Sequence, residues 1–248
     1  MSTPVLEVRD LAKSYGAIRA VAGVSFEVLP GEIFGVIGPN GSGKTTMFNS
    51  VLGQIAPDAG SIRLKGEDIT GLSPLELNRR GVGRTFQTLQ VFGKMSVRDN
   101  LIVAAQEHSG SMLGRMFAAP DSGYGAKADE LIALFRIGHV AAKPAGTLSY
   151  GQQKLVDIAM AFMSAPDLIL LDEPCAGVNP SLVGGISTLL KELNASHGGS
   201  FVVIEHNMDF VMDLCHRIMV MVEGQVMAIG TPDEIRADRR VLDAYLGN

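Results

Sequence analysis

The sequence predicts an α/β fold: a mostly parallel β-sheet flanked by helices, with a helical segment inserted into it. Three observations predict it. Short apolar strands alternate with helix patterns at both ends of the chain. The stretch IFGVI (33–37) is apolar without a break, as a strand buried on both faces must be. Between about Thr88 and Ala165 the texture turns to helical spacing instead.

Taken in order, VLEVRDLAKSYG (5–16) alternates apolar and polar residues and is expected to be an edge strand entering a Gly turn. Residues 20–38 give two more strands hinged at Pro30-Gly31, and a helix is expected from about Lys44 to Leu52. SIRLKGEDIT (61–70) is a short strand and turn. The helical middle is broken by the loop AAPDSGYGA (118–126). Alternation resumes with DLILLDEP (167–174), a helix near 181–195, SFVVIEH (200–206), a helix near 207–215 and RIMVMVEGQVMAIG (217–230). Met219 and Met221, inside that last stretch, are expected as core filling.

Composition narrows the function classes. At 248 residues the chain fits one large domain, or a core with an inserted subdomain. A formal charge of −5 argues against wrapping nucleic acid, which needs a cationic face, and RADRR (236–240) is too short to change that. Cys175 and Cys215 lack metal-like spacing and are expected as reduced thiols of a cytosolic protein. MSTPVLEVRD lacks the basic start and apolar stretch of a signal peptide, and no apolar run is long enough for a bilayer. The expectation is a soluble chain whose dealings with a membrane go through a partner.

Two motifs carry the chemistry. GPNGSGKTT (38–46) has the spacing G-x-x-x-x-G-K-[ST], follows a buried strand and precedes a helix, the context a phosphate cradle requires. Gly38, Gly41 and Gly43 let the backbone of Pro39, Asn40 and Ser42 wrap close to phosphate. Lys44 adds a mobile charge for β/γ oxygens, Thr45 offers a hard oxygen to Mg²⁺, and Thr46 continues the helix whose positive end faces the anion. LILLDEP (168–174) then ends an apolar strand in two carboxylates. Asp172 is placed to hold Mg²⁺ through its water shell, and Glu173 to deprotonate an attacking water. A second helix entrance follows the pattern TLSYGQQKLVDIAM (147–160), where Ser149, Gly151 and Gln152 open an amphipathic run. A plain helix cap is the other reading of that turn.

With cradle, LSYGQ turn (148–152) and carboxylate pair in one chain, the sequence resembles the ATP-binding-cassette nucleotide-binding domains along essentially its whole length. The resemblance implies a RecA-like P-loop NTPase core with edge antiparallel strands, a single domain over 1–248 and an inserted helical subdomain at 88–165. It implies ATP and Mg²⁺ as ligands, and an ATPase. Tyr15 falls where the family stacks an aromatic on adenine, Gln87 at its glutamine loop, Asn179 in the loop after the carboxylates, and His206 at its switch histidine. By the same resemblance Gln87 contacts Mg²⁺, and His206 contacts the γ-phosphate and helps position the water. Two family domains pair head to tail around ATP, so Ser149 and Gly151 are expected to donate to the γ-phosphate held by a second copy. Two positions depart from the pattern: Tyr150 where a second glycine is commonest, and Asn179 where aspartate is usual.

Within the family, RTFQTLQVFGKMSVRDNLIVAA (84–105), LSYGQQ, EPCAGVNP and the ending AYLG look like importers of branched-chain amino acids. The insert SGSMLGRMFAAP (109–120) falls where that subfamily carries an extra segment, and is equally readable as a surface loop. Importers of urea or short amides share much of the pattern, and a motor extracting lipopolysaccharide shares part of it. The short interval between Gln87 and Leu148 disfavours the DNA-repair members, and the single cassette disfavours the translation members. The implied partners are integral-membrane permease subunits, a second cassette and, indirectly, an external substrate-binding protein. The implied place is the cytoplasmic face of the cell membrane. The apolar run Leu89, Val91, Phe92 and Met95 is expected either to form the permease-binding groove or to pack in the subdomain's own core.

Overall fold

The computed structural model describes residues 3–85, 89–106 and 123–246. Two sheets organise them. An antiparallel sheet contains β1 (Leu6–Tyr15), β2 (Ile18–Val28), β4 (Ala59–Leu64) and β5 (Glu67–Asp68), in the order β2-β1-β4-β5. The second sheet contains β3 (Ile33–Ile37), β6 (Val82–Arg84), β7 (Leu168–Asp172), β8 (Ser200–Ile204), β9 (Arg217–Val222) and β10 (Gln225–Gly230). Its order is β10-β9-β3-β8-β7-β6, parallel throughout except where β10 turns back on β9. The helices are α1 (Lys44–Val51), α2 (Pro74–Arg79), α3 (Val97–Gln106), α4 (Tyr124–Leu134), α5 (Tyr150–Ala161), α6 (Pro180–His197), α7 (Met208–Leu214), α8 (Pro232–Ala237) and α9 (Arg239–Leu246).

The central parallel strands β3, β7 and β8 are apolar except at the Asp172 and Ser200 ends because each serves two cores. In β3, Ile33 and Ile37 belong to one apolar cluster, while Phe34 and Val36 belong to the other. The same alternation divides Ile169 and Leu171 from Leu168 and Leu170, and Phe201 and Val203 from Val202 and Ile204. This is the strand period of two at work. One cluster packs the sheet against the antiparallel sheet and α1, and the other packs it against α3 to α7. Met219 and Met221 are completely buried, as core filling requires. Each such side chain contributes about 1.5–3 kcal/mol by leaving water.

One expectation is corrected. The first strand is not an edge: β1 pairs with β2 on one side and with β4 on the other. Its alternating pattern reports one buried face, here Leu6, Val8 and Leu11, and carries no information about how many neighbours the strand has. Between β6 and β7 the described chain is helical, with α3 and α4 both packed into the apolar cluster that α5 completes. Cys175 and Cys215 are free and buried. Among the described residues no helix is long and apolar enough to cross a membrane.

Candidate active site

Three adjacent parallel strands end at one place. The central β3 runs into Gly38, the neighbouring β8 into Glu205 and His206, and the next strand, β7, into Asp172 and Glu173. The carboxyl ends of parallel strands are where an α/β sheet presents its ligands. Between them lies a cavity of about 290 Å³ lined by Asn40, Gly41, Ser42, Gly43, Lys44, Thr45 and Thr46, with Ala20, Glu173 and His206 closing it.

The cradle's shape depends on glycine at two points. Gly43, the N-cap of α1, has φ +95, and a Cβ there would sit 2.1 Å from the Ala20 carbonyl oxygen. At Gly38 a Cβ would meet the Met221 carbonyl oxygen at 2.1 Å. The loop is also strapped to the β9–β10 turn, where the Gly224 N–H donates to the Ser42 carbonyl at 3.0 Å. Lys44 is buried, and its Nζ donates to the carbonyls of Gly38 at 2.8 Å and Pro39 at 3.0 Å. Burial holds its pKa below the usual lysine range, with the Glu173 charge opposing. An ammonium parked on two carbonyls is poised for exchange onto phosphate oxygens, which offer it a full negative charge.

Glu173 lies one residue beyond β7 with φ +47, a left-handed backbone that a non-glycine residue adopts only when its surroundings enforce it. Its N–H donates to the Ile204 carbonyl at 2.9 Å, which anchors it to the end of β8. His206 Nε2 lies 3.0 Å from Glu173 Oε1. Asp172 is half-buried, and burial raises its pKa, with Glu173 and Glu205 adding to the shift. Its N–H donates to the Thr85 hydroxyl at 3.2 Å, tying β7 to the end of β6. The acidic ends therefore concentrate negative charge beside the cradle, a setting that favours a divalent cation. Among the described residues no group of three His, Cys, Asp or Glu side chains is arranged to hold a metal ion. An ion here needs the Thr45 hydroxyl, phosphate oxygens and water as well as Asp172, the ligand set that suits Mg²⁺.

The remaining candidates lie elsewhere. Ser149 is the N-cap of α5 in a capping box with Gln152: the Gln152 N–H donates to Ser149 Oγ at 3.4 Å, and the Ser149 N–H donates to Gln152 Oε1 at 3.1 Å. Ser149, Gly151 and Gln152 are not among the residues lining the chain's own cradle. Tyr150 is exposed and lies over Gly177 in the loop after the carboxylates, where a Cβ would come within 2.9 Å of its ring. The Asn179 side chain caps α6, its oxygen accepting from the Ser181 N–H at 3.0 Å. Tyr15 is exposed at the β1–β2 turn, with Lys13 Nζ 5.9 Å from its ring centre, outside the cavity lining. Gln87 and the insert at 109–120 lie outside the described residues.

Two contributors were missed from sequence. Glu205 is buried and accepts three backbone N–H groups; the only signal was a charged residue inside SFVVIEH. Tyr245, in the ending AYLG, has its phenol close to the Gly38 backbone, and burial pushes its pKa up to about 12. The C-terminal helix thus reaches the first residue of the cradle.

Comparison with known proteins agrees with this geometry. A family profile for ABC transporters matches residues 21–176, and one for branched-chain amino acid ATP-binding cassette transporters matches residues 225–248. The chain is 38% identical to the high-affinity branched-chain amino acid transport ATP-binding protein BraF of Pseudomonas aeruginosa, covering 100% of this chain and 99% of the relative. It is also 38% identical, with the same coverage, to LivG of Escherichia coli strain K12, which bears the same description. A crystal structure of the ADP conformation of an ATP-binding cassette of an ABC transporter superposes with TM-score 0.89 at 34% identity, covering 100% of both chains. A dimeric cassette bound to ADP and phosphate superposes with TM-score 0.78 at 25% identity, covering 92% of this chain and 98% of the other. The chain belongs to the ABC transporter family and is one of its ATP-hydrolysing cassettes.

Proposed function

We propose that this chain powers the uptake of branched-chain amino acids as the cytoplasmic ATPase of a membrane permease, working as one of a pair of cassettes. The observation that carries the reading is twofold similarity: full-length relatives named for that transport, and the profile of that subfamily over the C-terminal residues 225–248. Those C-terminal residues include Tyr245, whose phenol meets Gly38 at the cradle.

In this reading the cradle binds the β- and γ-phosphates of ATP through backbone N–H groups and Lys44. Glu173 is the general base for the attacking water. His206, 3.0 Å from it, orients that water and the γ-phosphate. Mg²⁺, held by the Thr45 hydroxyl and by Asp172 through water, neutralises charge on the phosphates when bound. The Ser149 hydroxyl and the N–H groups opening α5 serve the γ-phosphate of the partner copy, which makes ATP part of the dimer contact. Loss of the γ-phosphate then weakens the closed pair.

The permease docks beside α5, the helix that the LSYGQ turn opens. Phe92 is half exposed and lines a groove of about 360 Å³ with Leu75, Val103, Met160, Arg84 and Asp157. Asp157 is buried, and its Oδ2 has no hydrogen-bond partner there, which leaves an acceptor for a donor on the incoming segment. Val91 packs instead against the internal apolar cluster, so the run 89–95 divides between groove and core.

The test is purification of the chain from native membranes in mild detergent, with partners identified by mass spectrometry and leucine uptake measured in reconstituted vesicles. Two hydrophobic permease chains, a second cassette, an external amino-acid-binding protein and ATP-driven leucine uptake are expected. A binding protein for amides, or envelope lipid-export components, overturns the cargo and leaves the motor chemistry standing. Glu173→Gln is expected to bind ATP and to dimerise on adding it, seen as a doubled mass by light scattering, while turnover falls 10²- to 10⁴-fold.

A further inference from the structure

We propose that Glu205 is a positioning residue for hydrolysis, a buried carboxylate clamp that holds the Glu173 loop and the His206 turn in register. The proposal rests on the roles given above to Glu173 and His206. Its geometry is independent of them. Glu205 Oε1 accepts the N–H of Cys175 at 2.7 Å, two residues beyond Glu173. Oε2 accepts the N–H of His206 at 2.9 Å and that of Asn207 at 3.2 Å. The side chain is 3% exposed, so both oxygens are committed away from water.

A carboxylate buried this deeply is costly unless every lone pair that loses water gains a donor. Three short backbone contacts are what make it tolerable here, since hydrogen bonds to a charged acceptor are the strong ones. What those contacts join is specific. β7 and β8 are neighbours, with Asp172 paired to Ile204, so their ends would carry Glu173 and His206 into the cavity along separate loops. Glu205 spans the gap, gripping the first loop at Cys175 and the second at its own successor. Glu173 keeps a left-handed backbone between two fixed points, its own N–H on Ile204 and the Cys175 N–H on Glu205. The 3.0 Å approach of His206 to Glu173 is the product. An amide cannot replace the clamp. Glutamine has the same shape, but only one of its two terminal atoms accepts, so the other would turn N–H against N–H.

The test compares Glu205→Gln and Glu205→Asp with the parent full-length chain, and repeats Glu205→Gln in a His206→Ala background. Turnover, the Michaelis constant for ATP and equilibrium binding of a fluorescent ATP analogue are measured for each. Glu205→Gln is expected to lower kcat tenfold or more while ATP affinity stays within about threefold, because the cradle is built by other residues. In the His206→Ala background the same change is expected to cost less than it does in the parent, since one of the two groups being positioned is already gone while the Glu173 loop is still held through Cys175. Glu205→Asp, which keeps the charge, is expected to recover part of the loss. Full kcat in Glu205→Gln overturns the proposal, as does a loss that multiplies unchanged onto His206→Ala. If His206→Ala alone keeps full turnover while Glu205→Gln loses it, the role given to His206 fails and the clamp acts through Glu173 only.

Discussion

Replacing Gly43 by alanine tests whether the cradle's shape, and not only its charge, binds the nucleotide. The added Cβ would lie 2.1 Å from the Ala20 carbonyl oxygen and 3.4 Å from the Gly224 Cα, so one wall of the site is backbone that cannot rotate away. Restoring ordinary contact requires a displacement of about 1 Å, and overpacking of this kind costs about 1–3 kcal/mol. The backbone at φ +95 adds about 1–2 kcal/mol of left-handed strain for a residue with a Cβ. The sum is about 2–5 kcal/mol, and the loop yields before β2 does, because β2 is hydrogen-bonded along its length to β1. Displacing the loop moves the N–H groups that meet phosphate. At about 1.4 kcal/mol per tenfold, ATP affinity is expected to fall at least about thirtyfold. Titration with a fluorescent ATP analogue reads this directly, and thermal unfolding of the same samples separates it from loss of fold. Gly31→Ala is the control: it has φ +72 with no atom within 4 Å of the new Cβ. It is expected to lose about 1 kcal/mol of stability and no affinity. Gly43→Ala binding ATP within threefold of the parent would refute the argument, because the backbone wall would then be carrying no shape information.

Two further outcomes are expected. Burial holds the Asp157 carboxyl at a pKa of about 6 against an ordinary 3.8, with the nearby Lys154 charge opposing. The folded chain therefore keeps a proton that the unfolded chain releases. Its stabilising contribution is complete below about pH 4 and is lost as pH rises through about 6. Asp157→Asn is expected to raise stability by roughly 3 kcal/mol at pH 7.5 and by about 1 kcal/mol at pH 4.5, read by denaturant unfolding; equal gains at both pH values would remove the burial argument. Gln152→Glu keeps the capping box and adds favourable charge at a helix N-terminus, about 0.3–1 kcal/mol, so the monomer melts no lower. The same charge facing a partner's γ-phosphate costs ~3 kcal/mol per site at ~5 Å, and a head-to-tail pair of identical chains has two such sites, so ATP-driven dimerisation in the Glu173→Gln background is expected to need about ten-thousandfold more protein, and unchanged dimerisation would sink the shared site.

Much of the fold was legible because its signals are local. IFGVI, LILL and FVVI are unbroken apolar runs, and only a strand with two covered faces needs that. The cradle was legible because its glycines answer a steric demand that few other sequences share, seen now as the 2.1 Å approaches at Gly38 and Gly43. What stayed hidden was pairing. Strand alternation in β1 does not reveal that β4 lies on its second side, and the three-residue β6 is too short to show a period. Glu205 was passed over because its meaning depends on Cys175, thirty residues away in sequence, and no spacing rule connects them. Asn179 was legible as a loop residue, and its service as the α6 cap shows only in the turn geometry.

The LSYGQ turn and the cradle are both helix N-termini, yet the chain treats them differently. At α1 the capping residue is Gly43, and no side chain caps the helix, so its N–H groups are left to a ligand. At α5 part of that task is done internally, with Ser149 and Gln152 satisfying each other's donors. An open cradle binds whenever phosphate arrives. For the Ser149 hydroxyl to serve a partner's phosphate it must leave Gln152 Oε1, a hydrogen bond worth about 0.5–1.5 kcal/mol. That cost is small against a charge-assisted contact and large against none, so a γ-phosphate repays it where an empty site does not. The two N-termini, one open and one latched, therefore set an order. For the shared site proposed above, the expected order is ATP entering the cradle first and the second copy closing afterwards on a filled cradle.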